Sequence, residues 1–308
     1  MAIDRNLVAF LAVAESGNLT SAAEQLHLAQ PSLTKRLKLL EEEYDARLFE
    51  RHPRGMVLTP AGRVLLDHAK RIEQRYIQAH EAVAAEKSNK LERLKIGAGP
   101  LFQRALLANA FNTLRQEYPE TSLDLRADVH MLNLPLLRHG QLDIVFGAIV
   151  HSIVEEDIEA IGLLKVNLGA LARLDHDLHQ KKHVTARDLA AVPWILYSDD
   201  EETTAMVRGF FVRNGLTPPA FDIRTSSYEF GLDLVGTGRF IMPIPAELDS
   251  FLRPGGMRVL SLDAPLDRFV AGAYVRSSTL AYPVVRRLLE LVRQEANKLK
   301  AQPITEGD

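Results

Sequence analysis

The chain has 308 residues, 46% hydrophobic and 25% charged, an ordinary globular composition with room for two or three domains. It contains no cysteine, which excludes disulfides, zinc sites with cysteine ligands and thiol-based redox sensing. The net charge of -3 does not favour nucleic-acid binding, so any such activity must rest on local patterning. We expect neither a signal peptide nor a membrane-spanning segment, and hence a cytoplasmic protein.

The first predicted elements are two short helices joined by a tight turn. Leu7, Phe10 and Leu11 recur at helical spacing and indicate an amphipathic helix. Thr20 is a suitable N-cap for a second helix over residues 21–26, which is rich in alanine. Small side chains there would let another helix approach closely.

A third helix is predicted over residues 30–43, with Pro31 in its first turn, where a missing N–H costs nothing. One face carries three leucines that we expect in the core, at 33, 37 and 40. The opposite face is small, polar and basic, as in the second helix of a helix-turn-helix. The alternative is a helix that merely faces solvent. Candidates for DNA contacts in this region are Thr20, Gln30, Pro31, Ser32, Thr34, Lys35, Arg36 and Lys38.

Two short predicted strands, 48–51 and 56–58, flank a basic turn and predict a hairpin wing. Arg51 and Arg54 could then contact the DNA backbone or the minor groove. The alternative is a plain solvated hairpin. The acidic run 41–43 is interpreted as a solvated helix end.

One long helix is predicted over residues 59–88, capped by Thr59 and opened by Pro60. A single apolar stripe along a helix of this length favours a partner helix. That partner could be a second copy of the chain or its own C-terminal region. The stripe comprises Ala61, Leu65, His68, Ala69, Ile72, Tyr76, Ala79 and Val83.

Residues 91–308 alternate strand-like and helix-like segments, which predicts an α/β fold. The first three strands, near 94–98, 123–126 and 144–147, read as βαβαβ and predict a parallel sheet. Later strands are expected near 163–172, 194–197, 221–225 and 269–275, with helices near 202–213 and 284–297.

The N-terminal residues resemble the LysR-type transcriptional regulators. The match is carried in order by Phe10–Gly17, Thr20, Ala22, Ala23, Leu26, Gln30–Thr34, Leu37, Leu40, Glu41, Leu48, Phe49, Arg51, Leu58, Thr59, Ala61 and Gly62. Ala29 departs from the pattern, because serine usually precedes Gln-Pro, and the loss weakens the N-cap by about 1 kcal/mol. A looser match spans the C-terminal region through Gly140, Leu142, Asp143, Val235, Gly236, Gly238 and Pro243.

The resemblance implies a winged helix-turn-helix over 1–58, a linker and dimerisation helix over 59–88, and an effector-binding domain over 91–308. That last domain would be an α/β, periplasmic-binding-protein-like fold of two subdomains. Subdomain I would comprise about 91–162 and 267–300, and subdomain II about 163–266, with crossovers near 162–165 and 262–267. The implied protein is a homodimer or homotetramer on double-stranded DNA with an imperfect inverted repeat. RNA polymerase is a further candidate partner, and no cofactor is expected.

A small-molecule effector would bind between the subdomains. Helix N-termini at strand ends favour an anionic or polar ligand, and aromatic residues suggest an aromatic part. A hydroxyl residue is common in the family where Gly99 or Pro100 stands, which weakens carboxylate binding at that corner. The alternative for the aromatic candidates is a place in the core, favoured for Phe146. The candidates are Gly99, Pro100, Leu101, Phe102, Asp128, Val129, His130, Phe146, Ser198, Thr203, Thr204, Ser226, Ser227 and Tyr228.

Other constellations give little support to other functions. His176, Asp177, His179 and His183 lie in a polar tract that we interpret as a connector, not a metal site. No nucleophile elbow or dinucleotide fingerprint is present, so no enzyme is expected. Two rival classes remain open: a ligand-independent DNA-organising protein, and an enzyme or transporter-type binding protein.

Overall fold

The computed structural model describes residues 4–52, 55–88, 90–128, 130–150, 157–197 and 200–299. The chain divides into two compact units, Met1–Glu86 and Lys87–Asp308. None of the helices described has both the length and the apolar character needed to cross a membrane.

The first unit contains the helix-turn-helix and the wing. Its elements are α1 (Arg5–Ser16), α2 (Leu19–Gln25), α3 (Gln30–Glu43), β1 (Phe49–His52), β2 (Gly55–Leu58) and α4 (Pro60–Ser88). The predicted winged helix-turn-helix and long helix are therefore confirmed. The predicted inward-facing leucines of α3 are buried and pack with residues of the other helices, including Phe10 and Leu65. The ring of Phe10 lies 5.3 Å from that of Phe49 in the wing.

The predicted N-cap of the second helix is wrong. Asn18, not Thr20, caps α2, and its side chain accepts from the backbone N–H of Thr20 at 2.7 Å. Gly17 ends α1 in the left-handed conformation, so Asn18 is the first extended residue and is free to cap. Ala29 precedes α3 without any side-chain cap, as its sequence implied.

The interpretation of the acidic run 41–43 as a solvated helix end is wrong for Glu41, whose carboxylate accepts hydrogen bonds from the wing. The Glu41 carboxylate accepts from the backbone N–H groups of Leu48 at 2.7 Å and Phe49 at 3.3 Å. It therefore joins α3 to the start of the wing. The wing also reaches the turn between α1 and α2, where the Met56 N–H donates to the Gly17 carbonyl at 2.7 Å. These bonds fix the hairpin relative to the outer face of α3.

The second unit begins with the predicted parallel βαβαβ arrangement. Its first elements are β3 (Arg93–Ala98), α5 (Pro100–Ala105), α6 (Leu107–Glu117), β4 (Ser122–Ala127), α7 (His130–Arg138) and β5 (Ile144–Ala148). Strand β3 pairs in parallel with β4 on one side and with β5 on the other.

The remaining elements complete a six-strand path and a smaller sheet. They are β6 (Ile158–Arg173), α8 (Ala186–Ala190), β7 (Trp194–Tyr197), α9 (Glu201–Arg213), β8 (Phe221–Thr225), α10 (Tyr228–Thr237), β9 (Met242–Pro245), α11 (Asp249–Leu252), β10 (Met257–Val259), β11 (Asp267–Arg276) and α12 (Pro283–Lys298). The large sheet has the order β10-β6-β11-β5-β3-β4, with β9 also on β6, and β7 pairs with β8 in parallel.

Strands β6 and β11 pair antiparallel from Ile158 opposite Arg276 to Leu168 opposite Asp267. The first predicted crossover, 162–165, is thus part of the long strand β6, whereas the second, 262–267, immediately precedes β11 and reaches it only at Asp267. The pairing carries one sheet from the first half of the unit into the second half. It also brings residues that are distant in sequence close together.

A buried ion pair lies at one end of this sheet. Arg276 and Asp143 are both almost inaccessible, and the Arg276 guanidinium donates to the Asp143 carboxylate. The second Asp143 oxygen accepts from the Lys95 backbone N–H at 2.8 Å. The pair therefore connects β11, the start of β5 and β3.

Candidate functional site

The outer face of α3 is the first candidate site. Gln30, Pro31, Ser32, Lys35 and Lys38 are exposed on it, opposite the buried leucines. Thr34 is half-buried, and its hydroxyl donates to the Gln30 carbonyl at 3.0 Å. Thr20 is exposed in the first turn of α2. The face combines hydrogen-bonding groups with positive charge, which is the chemistry that base edges and phosphates require.

Two basic candidates on α3 differ in their surroundings. The Arg36 side chain is half-buried and donates to the Arg5 carbonyl at 3.4 Å, so it lies against α1 and not on the outer face. Lys38 remains outward and pairs with Glu42 at 3.5 Å. Both members of that pair are well exposed, so the interaction is weak and easily exchanged for a phosphate.

The wing candidates are described only in part. The backbone of Arg51 pairs with Met56 across the hairpin. Arg54 lies outside the described residues. Their proposed contacts with DNA stay predictions from the sequence.

The long helix α4 carries the predicted apolar stripe, which has two different environments. Leu65 and Ala69 are buried in the core of the first unit. Further along, Ile72 is 49% exposed and Val83 is 58% exposed. The first turns of the stripe thus pack on their own chain, while these later apolar side chains face outward.

The second candidate site is a cavity in the second unit, at the ends of β3 and β7. Its volume is about 100 Å³. Seven predicted candidates line it: Gly99, Pro100, Leu101, Phe102, Thr203, Thr204 and Tyr228. The walls come from both halves of the unit, as the predicted position between subdomains requires.

Several candidates lie elsewhere. Phe146 is fully buried and packs against Phe102 with ring centroids 5.1 Å apart, so it belongs to the core. Asp128 lies 3.7 Å from Arg126 and does not line the cavity. Ser226 and Ser227 do not line it either, and Ser227 caps α10. Val129 and Ser198 lie outside the described residues, as does the side chain of His130.

Most residues of the cavity wall were not among the predicted candidates. The additional lining residues are Gly147, Ala148, Leu168, Leu196, Tyr197, Asp200, Glu202, Met206, Met242, Pro243, Pro245, Phe269 and Ala271. Leu168 and Phe269 come from β6 and β11, and only the pairing of those strands brings them together. Asp200 had a local signal, because it precedes a predicted helix and is a good N-cap residue.

The polar wall of the cavity is built at the start of α9. The Asp200 carboxylate accepts from the Thr203 N–H at 2.9 Å and from the Thr203 hydroxyl at 2.6 Å. The Thr204 hydroxyl donates to the Asp200 carbonyl at 2.9 Å. Both threonine hydroxyls therefore donate their hydrogen bonds to Asp200, and their oxygens remain able to accept a hydrogen bond from a ligand.

Tyr228 supplies another polar atom. Its hydroxyl is buried and has no hydrogen-bond partner in the structure. Burial raises the pKa of this phenol above its ordinary value, so it stays protonated at neutral pH. A buried hydroxyl without a partner is costly, and a ligand in the cavity can satisfy it.

The residues of the predicted histidine-rich tract contact different partners in the structure. His176 accepts from the Leu178 N–H at 3.2 Å, and Asp177 pairs with Arg239 at 3.0 Å. His183 lies 3.8 Å from Asp263. Among the residues that the structure describes, no three His, Asp or Glu side chains are arranged to hold a metal ion.

Two family models match the chain. One, described as "LysR substrate binding domain", covers residues 88–297, and one described as "Bacterial regulatory helix-turn-helix protein, lysR family" covers residues 5–63.

Curated relatives are similar in sequence to most of the chain. It is 28% identical over 255 residues to the Hca operon transcriptional activator HcaR of Escherichia coli, covering 80% of this chain and 83% of that protein. It is 32% identical over 201 residues to the regulator TfdT of Cupriavidus pinatubonensis, covering 63% and 84%. Both relatives are named as transcriptional regulators, and neither as an enzyme.

Solved structures share the fold. A full-length OxyR variant from Pseudomonas aeruginosa has a TM-score of 0.68 at 22% identity, covering 100% of this chain and 99% of that one. Full-length CbnR in complex with its target DNA has a TM-score of 0.64 at 22% identity, covering 96% and 100%.

Proposed function

The chain belongs to the LysR family of DNA-binding transcription regulators, and we propose on that basis a role for each of its two candidate sites. The outer face of α3 contacts base edges and phosphates, and the cavity holds the small-molecule effector. The observation that carries the first assignment is the outer face itself: polar and basic side chains are exposed on the second helix of a helix-turn-helix. The Gln30, Ser32, Thr34 and Lys35 side chains approach bases or nearby phosphates, and Lys38, Arg51 and Arg54 serve phosphates or the minor groove. Because a transcription regulator must reach DNA, we place the chain in the cytoplasm.

The regulator acts as a homodimer through α4, and dimers assemble further into a tetramer. Two α3 helices then contact an imperfect inverted repeat, whose symmetry matches that of the dimer. The effector binds one arrangement of the effector-binding domain better than another, because a ligand without such a preference shifts nothing. This change of arrangement alters how the dimers are spaced on DNA and how the complex contacts RNA polymerase. The CbnR complex with its target DNA supports DNA as the partner of this fold.

Selection of random duplexes by the full-length protein, at near-physiological salt, tests this function. We expect enrichment of a site with two-fold symmetry. Binding that is only salt-sensitive and shows no enrichment, with or without an added metabolite mixture, contradicts sequence-specific regulation and favours a DNA-organising role.

We expect Ile72→Asp to weaken dimerisation by about 100-fold or more. Each Ile72 is half exposed on α4, so about half of the 1.5–3 kcal/mol of a full burial would be lost in each of two subunits, and the two carboxylates add a desolvation cost at the interface. Sedimentation equilibrium measures the dissociation constant. Ile77→Asp is the matched control, because Ile77 is 40% exposed and lies about 140° around the helix from Ile72. An equal effect of the two changes would contradict the assigned face.

We expect Arg54→Ala to weaken DNA binding similarly on all sequences. Removing one phosphate contact should also reduce the slope of log affinity against log salt by about 1. Titrations of one duplex at several salt concentrations measure that slope. Arg93→Ala is the control, because Arg93 is an exposed arginine of the second unit. A slope unchanged by Arg54→Ala contradicts its role at phosphate.

A further inference from the structure

The cavity is apolar over most of its wall. Leu101, Leu168, Met206 and Met242 supply aliphatic surface, and Phe102 and Phe269 supply aromatic surface. Its volume of about 100 Å³ is of the order of the ~150 Å³ engineered cavity that takes up benzene. The body of a ligand that fits is therefore apolar and about the size of one ring.

The charged part of the wall is acidic. Asp200 and Glu202 line the cavity, and one oxygen of Glu202, Oε2, is buried. Among the lining residues that the structure describes there is no lysine, arginine or histidine. A carboxylate placed here would meet like charge in a partly dehydrated site, where such repulsion is strong.

The helix N-termini beside the cavity do not offset this charge. The start of α9 is capped by the Asp200 carboxylate, and its first turn carries Glu201 and Glu202. The first turn of α10 carries Glu229. The positive ends of these two helix dipoles are thus compensated by the protein's own carboxylates. The N-terminus of α5 also lines the cavity and has no acidic residue in its first turn, but α5 has only six residues and a correspondingly small dipole, so the helix N-termini give little support to an anionic ligand.

Arg104, at the end of α5, is a described candidate for binding an anion, because its charge acts on the lining residue Tyr228. Its guanidinium donates to Glu229 at 2.7 Å, and it does not line the cavity. Its Nε atom is buried without a partner, so it is the group that a carboxylate would have to use. The ion pair with Glu229 compensates its charge and reduces that attraction.

We infer that the effector is a compact apolar amine, bound as its cation, and not a carboxylate; this inference rests on the proposed role of the cavity. The ammonium group donates to the carboxylates of Asp200 and Glu202, and the threonine oxygens beside them can accept further hydrogen bonds. Tyr197 and Phe269 add aromatic surface that attracts a cation. The buried Tyr228 hydroxyl oxygen can accept a further hydrogen bond from the ammonium group.

Calorimetry on the full-length protein with benzylamine, benzyl alcohol and benzoate tests the inference. At about pH 7.5 the amine and the acid are both ionised, and the three probes share one ring. We expect benzylamine to bind at least about 10-fold more tightly than benzoate, with benzyl alcohol between them. Tighter binding of benzoate, lost in Arg104→Gln, would overturn the inference, as would no binding of benzylamine at about 10 mM.

Variants identify the groups responsible. Glu202→Gln removes the charge at constant shape, and Asp200→Asn does so while keeping a side chain that caps helices equally well. We expect each to weaken benzylamine binding by about 10-fold, and Glu201→Gln, the exposed neighbour outside the cavity wall, to leave it unchanged. Equal effects of the Glu201 and Glu202 changes would overturn the assignment.

Whether a ligand in the cavity controls DNA binding is tested separately. If benzylamine binds with the expected dependence on Glu202 but neither it nor larger amines alter DNA binding, the effector role of the cavity fails while the assigned ligand chemistry stands. If amines alter DNA binding and the Glu202 variant does not respond, the inference fails and the proposed function stands.

Discussion

Ser32→Asp is expected to lower the affinity of the full-length protein for its DNA site by about 100-fold, or about 2.7 kcal/mol. Ser32 is exposed in the first turn of α3, on the face proposed to meet DNA. A carboxylate there would repel phosphates and remove a hydroxyl donor. It would not harm the helix, because negative charge near a helix N-terminus is favourable. Fluorescence anisotropy with a labelled duplex measures the loss.

Ser250→Asp provides the matched control for that experiment. Ser250 is likewise an exposed serine in a helix, α11, but it belongs to the second unit. We expect it to leave the affinity within about two-fold of the parent protein. If Ser32→Asp, with unchanged circular dichroism, binds DNA as well as Ser250→Asp does, the outer face of α3 is not the DNA-contacting surface.

Asp143→Ala is expected to lower the free energy of unfolding of the second unit by about 3–5 kcal/mol. The change removes the Asp143 carboxylate from the buried Arg276 guanidinium and removes the acceptor of the Lys95 N–H. Both losses act where β3, β5 and β11 meet. Urea denaturation followed by tryptophan fluorescence measures the effect, because the single tryptophan, Trp194, is buried in this unit.

Asp124→Ala tests whether burial is the reason. Asp124 also pairs with an arginine, Arg93 at 3.4 Å, but the side chains are 54% and 62% exposed. Exposed pairs contribute about 1 kcal/mol or less, so this change should be nearly silent. Similar losses for Asp143→Ala and Asp124→Ala would contradict the explanation. We also expect Asp143→Leu with Arg276→Met to cost less than the sum of the single changes, because no unpaired charge stays buried.

Local signals explain how much of the fold could be predicted. The start of α3 follows from Pro31, and β7 follows from a short apolar run. Both signals depend only on residues that are neighbours in the sequence. The competing N-caps show where such signals become ambiguous. Thr20 and Asn18 are both good caps, and the left-handed Gly17 decides in favour of Asn18.

The cavity was harder to predict because its wall is assembled from distant segments. Phe146 lies in β5, near the strand end where the family pattern suggests a ligand, yet its ring fills the core behind Phe102. Leu168 and Phe269 enter the wall only because β6 and β11 pair. The acidic side chains of the wall, Asp200 and Glu202, were not among the predicted candidates, and Asp200 compensates the dipole of α9.

The most direct test of the central claim compares the affinity of the full-length protein for its selected duplex with that for a scrambled duplex of equal composition. At about 0.15 M salt, a sequence-specific regulator should prefer the selected duplex by about 1,000-fold or more. That preference should fall in Ser32→Asp and persist in Ser250→Asp. A ratio near one, at any salt concentration that permits binding, would contradict the account.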